Sequence, residues 1–589
     1  MITHPTRAQL AAVLAGSGAI GFFLGLVRYP AWPDALEPAQ VLAGLVTYPP
    51  DNPVYLYSTR TWTVLHEGLA VLLSLGFSEL TLALVVSGLT GMLSLQALGV
   101  IILAVGGDVG LAVLAPFFIQ VTHGASGGVS YPVALMGVQP TYGVVGLSYV
   151  LLAMALMGVG RVRAAALMLG FAPAVHVTIG LWTIVIATAA LAMDRTRAAT
   201  IARAAWRWLL AGALVAAMLA VVHYVGWVPG DAAAPATAVT GAWGNHRQPF
   251  PLFSSRALAT WFSAALPALW LWRYGRDIPE RARTLMAILV TAAAAGATLS
   301  VVYWLPPSSI SNAVATLMPS RLLNLPVIAA MALIVGLLAR YRQTFLSAAV
   351  LPSLTAVLLA INATIGQYDV DGLRMALAWV AMCLAASVLV FVAERRRRGA
   401  ASVADSADPT LTAWMRRATV AILTGALAAA IIVSVRDFAE QSVGMAPERS
   451  NDPFFAIAAG RRGMLLTGSD LHLMQLKTRR PVLLDGGALD GLHYPPAAAA
   501  ETDRILRRVY GTNLQSIQQA HLGALDSEAG KTLWEAREPD EWQRIAREFG
   551  ITDIVVYRSW QLKLPLVASD PDFALYTATP GTPAELSVP

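Results

Sequence analysis

The feature that most constrains this chain is a succession of uncharged apolar stretches, each set off from the next by polar, proline-rich or arginine-bearing connections. A helix rises 1.5 Å per residue, so about 20 apolar residues cross the roughly 30 Å hydrocarbon core of a bilayer. Stretches at 8–27, 62–78, 80–105, 142–159, 164–175, 176–193, 208–227, 257–272, 284–304, 319–339, 346–362, 373–393 and 419–435 read as about thirteen spans, and 108–121 as a re-entrant segment. Composition agrees: 13% of residues are charged and 56% hydrophobic, whereas soluble domains carry about 25% charged residues. Cys383, the single cysteine, lies inside one of these runs, so neither a disulfide framework nor a cysteine-based metal site is available.

The net charge of +6 does not point to nucleic acid, because the basic residues fall in short clusters between apolar runs. Arg161/Arg163, Arg195/Arg197/Arg203, Arg273/Arg276/Arg281/Arg283, Arg340/Arg342, Arg395 to Arg398 and Arg416/Arg417 occupy alternate connections, which marks those as cytoplasmic. The N-terminus is then cytoplasmic, with 8–27 an uncleaved anchor, and the loops 28–61, 228–256, 305–318 and 363–372 face outward with the tail. The expected organisation is a polytopic α-helical membrane domain over 1–435 and a C-terminal soluble α/β domain over 436–589 on the periplasmic side of a cytoplasmic (inner) membrane. Within the tail, GMLLTG, RRPVLLDGG, TDIVVYRS and FALYTA read as strands, and 500–510 and 540–549 as helices. No nucleotide-binding glycine motif is present.

Ionisable groups near membrane depth are costly and so mark function. The first outer loop carries Asp34, Glu37 and Asp51, with His66 and Glu67 at the start of the next span. Carboxylates there suit a general base or a divalent cation such as Mg or Mn, while Asp34 and Asp51 among Pro33, Pro38, Pro50 and Pro53 equally suit turn caps. His176 follows FAPAV at the outer start of a span, and His123 lies in HGASGG. His246 and Arg247 in GAWGNHRQPF suit a phosphate or a saccharide, with Trp243 and Phe250 alternatively interfacial anchors. Arg321 in MPSRLLN stands with no carboxylate within ten residues in sequence, which favours a lipid phosphate over simple snorkelling. Asp369, Asp371 and Arg374 read as a solvated turn.

This layout resembles the GT-C superfamily of membrane glycosyltransferases, in particular uncharacterised bacterial members, on PDALEPAQ followed by the Y-P-P-D turn, on FAPAVHVTIGL and on MPSRLLN. The tandem Asp-Glu pair of protein O-mannosyltransferases and the WWDYG block of oligosaccharyltransferases are not in the sequence. The resemblance implies transfer of a sugar from a polyprenyl-phosphate donor to a glycan, lipid or protein acceptor at the outer face. It implies Asp34 or Glu37 as base or tentative metal ligand, Arg321 as donor-phosphate arginine aided by His246 and Arg247, and Asp51, His66, Glu67 and His176 as further pocket residues. A transporter or flippase of lipid-linked saccharide, or a non-catalytic scaffold, remain the competing readings at the level of sequence.

Overall fold

The computed structural model describes residues 5–28, 35–121, 126–127, 133–135, 141–193, 195–224, 255–275, 278–306, 309, 317–341, 453–468, 473–492, 495–517 and 528–578. Asp34, His123, Trp243, His246, Arg247, Phe250, Asp369, Asp371, Arg374 and Cys383 lie outside the described residues, as do the spans expected at 346–362, 373–393 and 419–435.

The apolar region folds into α1 (Arg7–Arg28), α2 (Leu36–Leu42), α3 (Pro53–Arg60), α4 (Val64–Ser74), α5 (Glu79–Gly106) and α6 (Val109–Val121). A two-stranded antiparallel ribbon, β1 (Ser126–Gly127) and β2 (Val133–Ala134), precedes α7 (Tyr142–Gly158), α8 (Val162–Val175), α9 (Val177–Ala192) and α10 (Arg195–Tyr224). Then follow α11 (Ser255–Tyr274), α12 (Glu280–Leu299), a 3-10 turn at Pro319–Leu323 and α13 (Asn324–Tyr341). Among the described residues five helices are long and apolar enough to cross a membrane: Arg7–Leu26, Glu79–Gly106, Arg197–Tyr224, Glu280–Trp304 and Pro319–Leu337. The chain is a membrane protein.

The run 62–78 folds into the 11-residue α4, shorter than the span expected there. Thr63 caps its start through a side-chain bond to His66 N, and Gly76, at φ +91°, turns the chain just after its end. An apolar window averages over such punctuation, so it reported one continuous run.

Helices α1 and α5 meet backbone to backbone. A Cβ placed on Gly21 would stand 2.3 Å from the Gly91 carbonyl oxygen, one on Gly25 2.2 Å from that of Ser87, and one on Gly91 2.1 Å from that of Gly21. Small residues permit this approach, which replaces the missing hydrophobic drive between helices in lipid by van der Waals contact. Around the pair, α5, α7, α12 and α13 bury a shared core that includes Val100, Met154, Leu289 and Leu333.

The tail contains α14 (Pro453–Ala459), β3 (Met464–Thr467), α15 (Met474–Thr478), α16 (Gly486–Gly491), α17 (Ala499–Ile505), α18 (Glu528–Ala536), α19 (Pro539–Phe549), β4 (Ile551–Tyr557), β5 (Leu566–Ser569) and β6 (Phe573–Thr577). The sheet order is β3-β4-β6-β5, with β3 parallel to β4 and the other pairs antiparallel. The stretch RRPVLLDGG makes only an isolated parallel bridge, Val482 to Leu465, because Pro481 interrupts donors on one side and Asp485 caps α16 on the other. Strand β5, the four residues Leu-Val-Ala-Ser at the edge of the sheet, is too short to stand out in sequence, and its residues stay exposed or half-buried. Inside, Asp553 is fully buried and accepts from Arg461 Nε at 2.8 Å and Arg480 Nη2 at 2.7 Å. Burial pulls the Arg480 guanidinium below its ordinary range, an effect that Asp553 opposes.

Residues 41–56, between α2 and α3 and within them, dock onto this tail. Val41, Val46, Tyr48, Val54 and Leu56 share one buried cluster with Leu466, Leu483, Trp534 and Trp542. Polar bonds fix the register: Tyr48 Oη donates to Gln475 Oε1 at 2.7 Å and accepts from Val482 N at 3.0 Å. Asn52 Nδ2 donates to the Leu483 carbonyl at 3.0 Å while its Oδ1 caps α3. Arg479 grips Glu79, at the foot of α5, through two nitrogens at 2.8 and 2.9 Å. Burial holds the Tyr48 phenol well above its usual range. The folded form therefore keeps its proton where an unfolded tyrosine ionises, near pH 10, so this stabilisation is complete below pH ~10 and lost as pH rises above it. Tyr48→Phe should remove the alkaline loss and leave Val482 N and Gln475 Oε1 without their partner, costing about 1–3 kcal/mol. Hydrogen exchange at the Val482 amide measures it, with protection at neutral pH expected to fall about tenfold or more.

Candidate functional site

The site is built on a helix break. Helix α8 contains Pro173 and ends at Val175, and α9 begins at Val177 with His176 as the residue between them. A proline three residues before the break removes one backbone donor and so weakens helical continuity there. His176 takes an extended backbone, φ −155° and ψ 109°, and its own ring serves as the cap, Nδ1 lying 3.4 Å from Ile179 N. The ring is 2% exposed and stacks on Tyr142, the first residue of α7, at 4.9 Å between centroids and 25° between planes. Gly146 makes room for it, since a Cβ there would stand 2.6 Å from His176 Cβ.

The other nitrogen of His176 faces a cation. Arg321 Nη1 lies 3.4 Å from His176 Nε2. Arg321 sits on the 3-10 turn Pro319–Leu323, whose preceding residue, Met318, is buried with φ +40° in the left-handed region that non-glycine residues rarely adopt. Trp182, on α9, holds that segment by donating Nε1 to the Leu317 carbonyl at 2.6 Å. The helix that begins at the break thus also anchors the turn that carries the arginine.

This arrangement has a chemical consequence. A neutral imidazole has one N–H and one lone pair. At His176 both nitrogens are approached by N–H donors, Ile179 N at one and Arg321 Nη1 at the other. No single neutral tautomer accepts both bonds. When Nδ1 accepts from Ile179, Nε2 carries a proton and points it at the guanidinium. Two donors then converge beside the positive N-terminal end of the 16-residue α9, which is the electrostatic pattern of an anion site.

Tyr142 also meets His66, whose ring lies edge-on to the tyrosine at 5.9 Å and 71°. His66 is 1% exposed, and its Nδ1 lies 3.0 Å from the Thr61 carbonyl. A carbonyl accepts only, so Nδ1 carries the proton and Nε2 holds a lone pair. That Nε2, together with Thr61 Oγ1 and Trp62 Nε1, is buried without a hydrogen-bond partner among the described residues. Three such atoms within 61–66 mark a place where a ligand, a water or a substrate group completes the bonding. Trp62 packs against Ala174, at the end of α8, which brings this segment to the break.

Glu67 pairs with His223 Nδ1, in the last turn of α10, and Tyr224 Oη donates to the Arg60 carbonyl at 3.4 Å. Glu37 sits apart from this group, on the docked loop, where Oε1 accepts from Leu476 N at 3.3 Å and its carbonyl accepts from Gln475 Nε2 at 2.8 Å. Asp51 is exposed, beside Arg504 of the tail, whose guanidinium is held above its ordinary range first by its bonds to Glu501. Among the described residues no three His, Cys, Asp or Glu side chains are grouped to hold a metal ion, and the Glu37 carboxylate accepts from the Leu476 amide, so nothing described completes a metal site around it. Tyr142, Gly146 and His223 escaped the reading of the sequence. Thr141, which caps α7 ahead of Y-G-x-x-G, is the one local signal that marks an ordered helix start there.

No protein-family model matches the chain, and no curated protein matches it. Among solved structures it is similar to the crystal structure of ArnT from Cupriavidus metallidurans bound to undecaprenyl phosphate. That likeness has 14% identity and a TM-score of 0.44, over 98% of this chain and 99% of the other. Roles are therefore argued from this chain's own side chains. Gly146→Ala, whose Cβ would stand 2.6 Å from His176 Cβ, should displace His176 and cost about 1–3 kcal/mol as overpacking. Gly143→Ala, whose added Cβ meets Thr141 Oγ1 at 3.5 Å and His176 Nε2 at 3.8 Å, leaves the midpoint of thermal unfolding within a few degrees.

Proposed function

We propose that this chain is a membrane glycosyltransferase of inverting type, in which His176 and Arg321 hold the phosphate of a polyprenyl-phosphate-linked sugar. The observation that carries this reading is the approach of Arg321 Nη1 to His176 Nε2, at 3.4 Å, at a helix break where the Ile179 amide donates to His176 Nδ1. An anion placed there accepts from both, removes the tautomer conflict and gains from the end of α9. The basic cluster at Arg195, Arg197 and Arg203 lies at the other end of α9, which supports placing the break on the extracytoplasmic side of a cytoplasmic membrane, with the tail as a soluble α/β domain and about thirteen spans in all. A polyprenyl chain then lies in lipid while its phosphate meets the two donors.

In the proposed step an acceptor hydroxyl or amide attacks the anomeric carbon. The new bond to that carbon forms as the carbon–oxygen bond to phosphate breaks, its electron pair leaving on the phosphate and the configuration inverting. Arg321 and the Nε2–H of His176 balance the charge that develops on the departing group, with His246 and Arg247 as further donors. The acceptor's proton passes to a base. His66 offers a lone pair whose tautomer the Thr61 carbonyl fixes, and Asp34 or Glu37 is the alternative that the resemblance implies. Glu67, next to His66 in sequence and held by His223, borders the proposed pocket, whereas Asp51 stands apart beside Arg504 of the tail. The cation suggested from the first-loop carboxylates takes no part in this step.

Binding of undecaprenyl phosphate to the purified full-length protein in neutral detergent tests the anion site, with undecaprenol as the uncharged comparison. The wild type is expected to prefer the phosphate. Arg321→Gln and His176→Phe, the latter keeping a stacked ring without its nitrogens, should each weaken that preference about tenfold, or ~1.4 kcal/mol. Equal affinity for alcohol and phosphate, or a preference unchanged in both variants, would defeat the proposal.

A further inference from the structure

A cavity lined by both apolar and basic residues lies at the opposite end of α9. Leu191 is fifteen residues beyond His176, roughly 22 Å along α9 at 1.5 Å per residue. There the end of α9, the start of α10, the end of α11 and the first turns of α12 border a half-open space of about 200 Å³. One water occupies about 30 Å³ in the liquid, so the space exceeds what a single trapped water fills. Leu191 and Leu271 form apolar walls, and Arg197, Arg283 and Thr284 supply the polar ones.

The two arginines are not equivalent. Arg197 is committed to Glu280, through Nε to Oε1 at 2.7 Å and through Nη1 to the Glu280 carbonyl at 3.0 Å. Arg283, one turn into α12, has a buried Nε with no hydrogen-bond partner among the described residues. A buried guanidinium nitrogen without an acceptor costs free energy unless something supplies one. The surroundings say what kind of molecule supplies it. Trp272, next to Leu271, is 83% exposed and Leu269 is 54% exposed, so this flank of α11 presents apolar surface as a helix facing lipid does. A basic pocket between membrane helices, walled by leucine on its lipid side, fits a phosphate that carries acyl chains.

We propose that this cavity binds the phosphate group of an anionic phospholipid, with Arg283 donating to the phosphate and Leu191 and Leu271 bordering the start of its chains. The site is independent of the pocket at His176, and its occupancy does not require that the chain transfer sugar.

The test uses the purified full-length protein, delipidated in neutral detergent and offered dioleoyl-phosphatidylglycerol or dioleoyl-phosphatidylcholine, with retained lipid counted by native mass spectrometry. The wild type is expected to retain the glycerol lipid at least tenfold better. Arg283→Gln should reduce that retention to the choline level. Leu271→Trp, which fills the cavity while both arginines remain, should do the same, and Arg203→Gln, on exposed α10 surface outside the cavity, should leave it unchanged. Thermal unfolding without lipid confirms that each variant is folded, and Arg283→Gln decides the matter if Leu271→Trp does not fold. Equal retention by wild type and Arg283→Gln overturns the site. Displacement of the lipid by inorganic phosphate at equal concentration overturns the lipid as its source.

Discussion

The interruption of the helical ladder between α8 and α9 is the constraint on which the rest of the site depends. Within apolar surroundings a free backbone donor is expensive, so a break persists only where side chains complete its bonding. His176 does this with its own ring, lying as both the last cap of one helix and the first cap of the next. Committing Nδ1 to that structural bond fixes the chemistry of Nε2, which faces Arg321. Structure and proposed function are therefore coupled through one imidazole: the bond that steadies the break is also the one that turns the second nitrogen into a donor.

Tyr142 gives this arrangement its depth. With His176 stacked on its face and His66 meeting it edge-on, the tyrosine touches both a group beside a cation and one holding a lone pair. Charge-balancing donors and a proton acceptor are what displacement at a phosphorylated carbon needs. The α7 helix that carries Tyr142 also carries Gly146, so one helix supplies both the surface against which His176 stacks and the gap into which it fits. The docked loop acts at longer range. By sharing a core with the tail, residues 41–56 connect the tail to the chain segment that runs into Thr61, Trp62 and His66. Arg479 and Glu79 tie the same tail to the foot of α5. The tail is thereby tied to the segments on both sides of α4.

Much of the architecture was legible because lipid imposes a simple rule on sequence. Length and hydropathy identify α1, α5 and α12 to within a few residues, and the runs GMLLTG, TDIVVYRS and FALYTA become β3, β4 and β6. The reading failed where apolarity and continuity part company. At 62–78 an ordinary apolar stretch hides two caps and a positive-φ glycine. In RRPVLLDGG the residues are apolar because they are buried among helices and loop, and only Val482 pairs with a strand. At β5 the reverse holds, since pairing with β6 makes a strand of residues that stay half-exposed.

The sequence by itself determined that this chain lives in a membrane, roughly where several of its long apolar helices lie, and that His176 and Arg321 are polar groups at costly depth. Those properties follow from transfer free energies that each residue carries with it. Tertiary structure alone decided which of these groups meet. It brought His176 to Arg321 across 145 residues of chain, set Tyr142 between two histidines, and drew Glu37 toward Gln475 and Leu476. Such pairings depend on helix crossing and close backbone approach, as at Gly21, Gly91 and Gly146, and they arise from shapes fitting together rather than from the preference of any single residue.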